Sequence, residues 1–183
     1  MRALSVILLL SVACVPAMAA EPKKPARSAT SRPATTAAGP RKIGAFDDWT
    51  AATNAEAGAM TCYAFTRATA PAPAIKGRGD VVLTVTERPS GRDAVAIAAG
   101  FAFQPNAIVQ VTADTATLAF YTAGRSAFAR DGHATVIAFA HAKSLSAKSI
   151  GPKAVPVTDS FSLRGFAAAY AAILKACPPP KAS

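Results

Sequence analysis

A mainly β fold is predicted for this 183-residue chain: an antiparallel β-sandwich or barrel-like domain with a C-terminal helix packed on it and room for a second short helix. Three observations predict it. Apolar residues alternate with period two in segments that recur every 8–14 residues, each closed by a turn signal. One segment near the C-terminus switches to the helical period. Two cysteines, Cys62 and Cys177, bracket most of the chain between them.

The elements follow in order. WTAAT (Trp49–Thr53) and AMTCYAFTRA (Ala59–Ala68) flank a turn containing Asn54 and Gly58, and read as a hairpin with a longer loop. APAPAIKGRG interrupts with prolines and glycines. DVVLTVTER (Asp80–Arg88) is rich in β-branched residues and stops at Pro89-Ser90-Gly91. In DAVAIAAGFAF, Val95, Ile97, Ala99, Phe101 and Phe103 fall on one face. Gln104-Pro105-Asn106 then leads into AIVQVTA, and Asp114-Thr115 into TLAFYTA. RDGHATVIAFAHAKS fits a strand or a short helix equally. In FSLRGFAAAYAAILKACP, the residues Phe166, Tyr170, Ile173, Leu174 and Cys177 share one helical face, with Ser162 as the expected N-cap and Pro178–Pro180 as the stop.

The first nineteen residues read as a secretory signal peptide: Arg2, a short apolar stretch, then Ala17-Met18-Ala19 as a small-x-small cleavage site. The stretch is too short to span a bilayer, and nothing later replaces it. Lipidation of Cys14 is the competing reading, but Ser11 stands where a Leu-like residue belongs. Residues 20–42 are expected to be a disordered basic tail rich in Pro, Ala, Ser and Thr; residues 43–178 form one β-rich domain, and 179–183 a disordered end. Six basic residues and one acid fall in 21–42, whereas 43–183 carries thirteen basic and nine acidic residues. The net charge of +10 therefore belongs largely to the tail, which suits weak contact with anionic surfaces. No aromatic interleaves those charges, so nucleic-acid binding is not expected. The place of work is periplasmic or secreted.

In an oxidising compartment the even pair Cys62 and Cys177 reads as a disulfide, with two buried free thiols as the alternative. Cys177 lies on the apolar face of the helix, so its last turn can be stitched to the strand that holds Cys62. No Cys-x-x-Cys, Gly-x-Ser-x-Gly, phosphate-binding glycine loop or His-Glu-x-x-His occurs. His133 and His141 lack ligand spacing, so no metal and no cofactor is expected. Asp47-Asp48 reads as a turn and solvation pair, since a hydrolytic pair needs facing positions and neighbours in an extended segment point apart, and Asp131 with His133 reads as a turn rather than a base and its orienter. An enzyme is not expected. The candidate binding residues are Trp49, as an aromatic that would suit a binding face if exposed, and the Arg78 and Asp80 of an Arg-Gly-Asp triplet. Adhesion through that triplet requires both side chains free and projecting; otherwise Gly77 and Gly79 make it a hinge into a strand. Tyr63 is a core or rim aromatic.

The stretches FDDWTAAT (Phe46–Thr53), CYAFTRA (Cys62–Ala68), LTVTERP and DSFSLRGFAAAYAAILKAC (Asp159–Cys177), in that order, resemble the invasion-associated locus B family of exported bacterial proteins. The resemblance spans residues 44–177. It implies a small, β-rich, periplasmic or surface-associated domain without known catalysis, whose founding member is linked to entry into host cells. The expected function is thus an exported, non-enzymatic protein-binding module, contributing to host-cell interaction. The alternative is a periplasmic accessory factor for envelope integrity or protein export.

Overall fold

The computed structural model describes residues 39–56 and 58–180. The expectations on the signal peptide, Cys14, most of the basic tail and the last three residues lie outside these. Eleven strands form one antiparallel sheet: β1 (Arg41–Phe46), β2 (Trp49–Glu56), β3 (Ala59–Arg67), β4 (Ala70–Ala72), β5 (Val82–Arg88), β6 (Gly91–Ala98), β7 (Gln110–Ala113), β8 (Ala116–Ala123), β9 (Ser126–Ala129), β10 (Ser144–Ile150) and β11 (Pro156–Ser162). Helix α1 spans Gly132–His141 and α2 spans Phe166–Ala176. The spatial order is β1-β2-β3-β5-β6-β9-β8-β7-β10-β11-β4.

The last strand of that order, β4, meets the third, β3, through the backbone. The Ala68 N–H still donates to Val81 O beside β5, but the next N–H, that of Thr69, donates to Ser160 O on β11 at 2.8 Å. One stretch of chain is therefore β3 in one half of the sheet and β4 in the other, so the sheet closes into a barrel with β1 and β2 as a flap beyond β3.

Turn residues set the hairpins. Asp47-Asp48, Asp114-Thr115 and Gly124-Arg125 are two-residue loops, each opening on a positive φ as the twist of antiparallel strands requires. The Asp114 carboxylate also accepts from the N–H groups of Lys143 and Ser144, tying this turn to the start of β10. Those bonds, the Lys143 N–H foremost, hold its carboxyl below the usual carboxylate range.

Alternation divides the two faces. Cys62, Ala64, Leu83, Val85, Val95 and Ile97 point inward and are buried. The helices complete this core, α2 against β1, β2 and β3, α1 against β6. Phe166 centres the seal, 4.9 Å from the Trp49 ring and 5.4 Å from that of Phe139. Cys62 and Cys177 are joined, with their Cα atoms 5.9 Å apart.

Three expectations are corrected. RDGH, expected as a turn heading a segment that fits strand or helix, is a helix start, because the Asp131 carboxylate caps α1 by accepting from the Ala134 N–H at 2.9 Å. Ser162 does not cap α2: it ends β11, its carbonyl takes the Trp49 indole N–H at 3.0 Å, and Gly165 occupies the cap position. The domain begins before residue 43, since β1 starts at Arg41 and recruits the last two basic residues of the tail.

Gly165 has φ +86, and a Cβ there would lie 2.0 Å from the Phe46 carbonyl oxygen. Gly165→Ala should lower unfolding free energy by more than about 2 kcal/mol in urea titrations, adding a steric clash to a left-handed backbone. The disulfide closes a 115-residue separation. Cys62→Ser with Cys177→Ser should cost on the order of 5 kcal/mol at most, measured the same way.

Candidate functional site

The outward residues of β3 are Tyr63, Phe65 and, at its end, Arg67, those of β5 Val82, Thr84 and Thr86, those of β6 Ala94, Ala96 and Ala98, and that of mid-β9 Phe128. The register aligns them in one row: Phe65 opposite Thr84, Thr84 opposite Ala96, Ala96 opposite Phe128, and Phe128 opposite Tyr121. Large rings therefore stand on both sides of two strands whose outward residues are small. The result is a shallow trough, roughly 14 Å across at about 4.8 Å per strand, floored by Thr and Ala and without a charge among them.

Each bank is braced. Tyr63 and Phe65 lie 6.1 Å apart. Tyr121 stacks on Phe128 at 5.6 Å, and the Arg130 guanidinium sits 5.5 Å from the Tyr121 ring, a cation–π contact. Beyond that bank, Ile108 is 83% exposed beside a notch of ≈ 300 Å³ that it lines with Asn106, Tyr121 and Arg130. Aromatic residues, an isoleucine and an arginine around an uncharged floor match the composition of interface centres. Tyr63 thus lies on the banked face, and period-two alternation in CYAFT is the signal that points it and Phe65 away from Cys62 and Ala64.

The other expected binding residues do not assemble here, which corrects them. Trp49 is 1% exposed and belongs to the core. Arg78 is internal: its side chain is 5% exposed, it donates to Asp159 Oδ2 at 2.7 Å and to Ala99 O at 2.8 Å, and its guanidinium lies 5.0 Å from the Phe101 ring. Asp80 is exposed and paired with Arg67 at 3.2 Å. The Arg-Gly-Asp triplet does not offer a free arginine, because the backbone turn that leads into β5 delivers that side chain to a buried acid.

On the inward side of the same strands lies a polar cluster that sequence spacing did not bring together. Glu87 is fully buried, pairs with Arg92 at 2.6 Å and accepts from the Asp93 N–H at 3.1 Å. Asp93, held at φ 52, accepts from the Tyr170 hydroxyl on α2 and bonds His133 Nδ1 on α1 at 3.0 Å. Arg92 also donates to Cys177 O at 2.8 Å. The partner of His133 is therefore Asp93 and not Asp131, and the cluster ties the β5–β6 hairpin to both helices beside the disulfide. Burial, followed by the neighbouring Asp93 side chain, pushes the Glu87 carboxyl up to about 7, against the pull of Arg92. For Asp93, burial is outweighed by the bonds from Tyr170 and His133, so its carboxyl lies below the usual range. Burial and then Asp93 push the Tyr170 phenol well up.

A carboxyl raised on folding is stabilising while the folded chain holds its proton, so its contribution is complete below its unfolded value near 4.5 and is lost as pH rises through about 7. Unfolding free energy should fall by up to about 3 kcal/mol between pH 5 and 8. Glu87→Gln should flatten that slope; an unchanged slope in denaturant titrations would refute the assignment to Glu87.

Among the described residues no three His, Cys, Asp or Glu side chains gather as a metal site requires, and no helix is long and apolar enough to cross a membrane. Comparison with protein-family models, with curated proteins and with solved structures finds no match.

Proposed function

We propose that this chain is an exported, non-enzymatic protein-binding module and that the aromatic-banked trough is its contact face. The single observation that carries the reading is the row Phe65–Thr84–Ala96–Phe128–Tyr121: large rings around a small, uncharged floor on the outside of a closed sheet. A sheet that has already buried a full core on its inner face has no structural need for these rings. Export is supported by the leader-like first nineteen residues and by the joined cysteines. The resemblance to the invasion-associated locus B family supports a surface or periplasmic partner, and host-cell interaction belongs to this proposal through the trough rather than through Arg-Gly-Asp.

The test places a photo-crosslinking residue at Thr84 and irradiates intact cells, with and without host cells. A discrete adduct is expected, and Ala96→Arg, which sets a charge on the floor, should reduce its yield more than about tenfold. An adduct formed equally well by the Ala96→Arg chain, with its thermal midpoint unchanged, would overturn the reading.

A further inference from the structure

A second site lies among the loops and shares no lining residue with the trough. A cleft of ≈ 570 Å³ opens between the loop at 73–78, the 100–102 turn, the β8–β9 turn and a single 3-10 turn at Pro152–Ala154. That volume falls within the roughly 300–1,000 Å³ common for small-ligand sites. Ile75, Phe101 and Val155 supply apolar wall and floor. Lys76, Arg125 and Lys153 supply three cations at the rim, all exposed, and no acid lines the cleft. None of the three forms an ion pair with a described residue. The fourth basic group, Arg78, is neutralised by Asp159 and serves the floor by lying over Phe101.

Two details show that the cations are positioned. Arg125 donates from Nη2 to Gly100 O at 2.7 Å, which holds its guanidinium over the cleft. Lys153 and Ala154 both take left-handed backbone, φ 56 and 59, a conformation L-residues adopt at a cost, and this turn puts Lys153 on the rim.

Part of the backbone around the cleft is already bonded. Gly100 O accepts from Gly79 N–H as well as Arg125, Ile75 O accepts from Arg78 N–H, Gly151 N–H donates to Val155 O, and Val155 N–H donates to Pro152 O. Pro73 and Pro152 have no N–H to give. None of the lining residues belongs to a strand, so an extended peptide would find no ladder here, whereas a ligand with one anionic head and a body without hydrogen-bonding groups needs none.

We propose that this cleft binds an amphipathic anion, an acyl-type chain seated on Ile75, Phe101 and Val155 with its carboxylate or phosphate held by Lys76, Arg125 and Lys153. Either headgroup satisfies the same three cations, so the source, free fatty acid or lysophospholipid-type phosphate, is read from their relative affinities.

The experiment is displacement of dansyl-undecanoate, followed by fluorescence, from the full exported chain. Saturable probe binding is expected, with displacement by dodecanoate or dodecyl phosphate and the better competitor naming the source. Dodecyltrimethylammonium and dodecyl maltoside should compete at least about tenfold less well, since they lack the charge the rim selects. Lys76→Glu with Arg125→Glu and Lys153→Glu should weaken binding more than about tenfold, as should Val155→Asp alone. Ala96→Arg should leave it unchanged, which separates this site from the trough. The proposal fails if the probe does not saturate, if neutral or cationic amphiphiles compete equally, or if the triple variant keeps wild-type affinity with an unchanged thermal midpoint. It also fails if an acidic peptide displaces the probe and dodecanoate does not, or if only anionic vesicles bind.

Discussion

Between Ala68 and Thr69 the backbone changes hydrogen-bonding partner, from Val81 on one side to Ser160 on the other, and the closed sheet depends on that exchange. A strand that serves two neighbours in succession needs the second one held in place. Asp159, opposite Pro71 in the β4–β11 pairing, does this from inside by taking Arg78 from the loop that follows β4. The pair is nearly excluded from water, and removing one partner of such a pair leaves an uncompensated charge, typically costing about 3–5 kcal/mol. The loop, the seam and the return into β5 are thereby one unit.

With the seam closed, the same strands serve two purposes by alternation. Inward residues of β3, β5 and β6 build the core and end in the Glu87–Asp93 cluster; outward residues build the trough. A slip of one residue in register would exchange these sets. The polar cluster resists that slip at the hairpin end, because Asp93 must meet Tyr170 and His133 from two different helices.

Much of this was legible in the chain. Period-two segments located β2, β3, β5, β6 and β8, the helical face of α2 was readable from Phe166 to Cys177, and the cysteine pair followed from compartment and parity. Less legible were β4, β9, β10 and β11. SAFA and SLSAKSI are short or polar, and their strand character comes from pairing rather than from intrinsic pattern. The trough was visible only in part: Tyr63 and Phe65 alternate out of the core, but the alignment of Phe65 with Tyr121 needs four strand registers that no local signal encodes. Arg78 was misplaced for a similar reason, since Asp159 lies 81 residues away. RDGHATVIAFAHAKS was undecided because its apolar run is short, and the cap formed by Asp131 makes it a helix.

The bond between Cys62 and Cys177 makes a covalent ring of β4 through α2, together with the part of β3 beyond Cys62, and leaves β1, β2 and the start of β3 outside. Tension applied between the two ends of the chain would therefore run through the sulfur atoms and bypass the ring. The flap could peel from the sheet under such a load while the seam, the trough's central strands and the cleft remained mechanically silent. The same ring means that a protease nick in any loop between these cysteines would leave the fragments tethered, so a single cut releases a piece of the chain only before Cys62 or beyond Cys177.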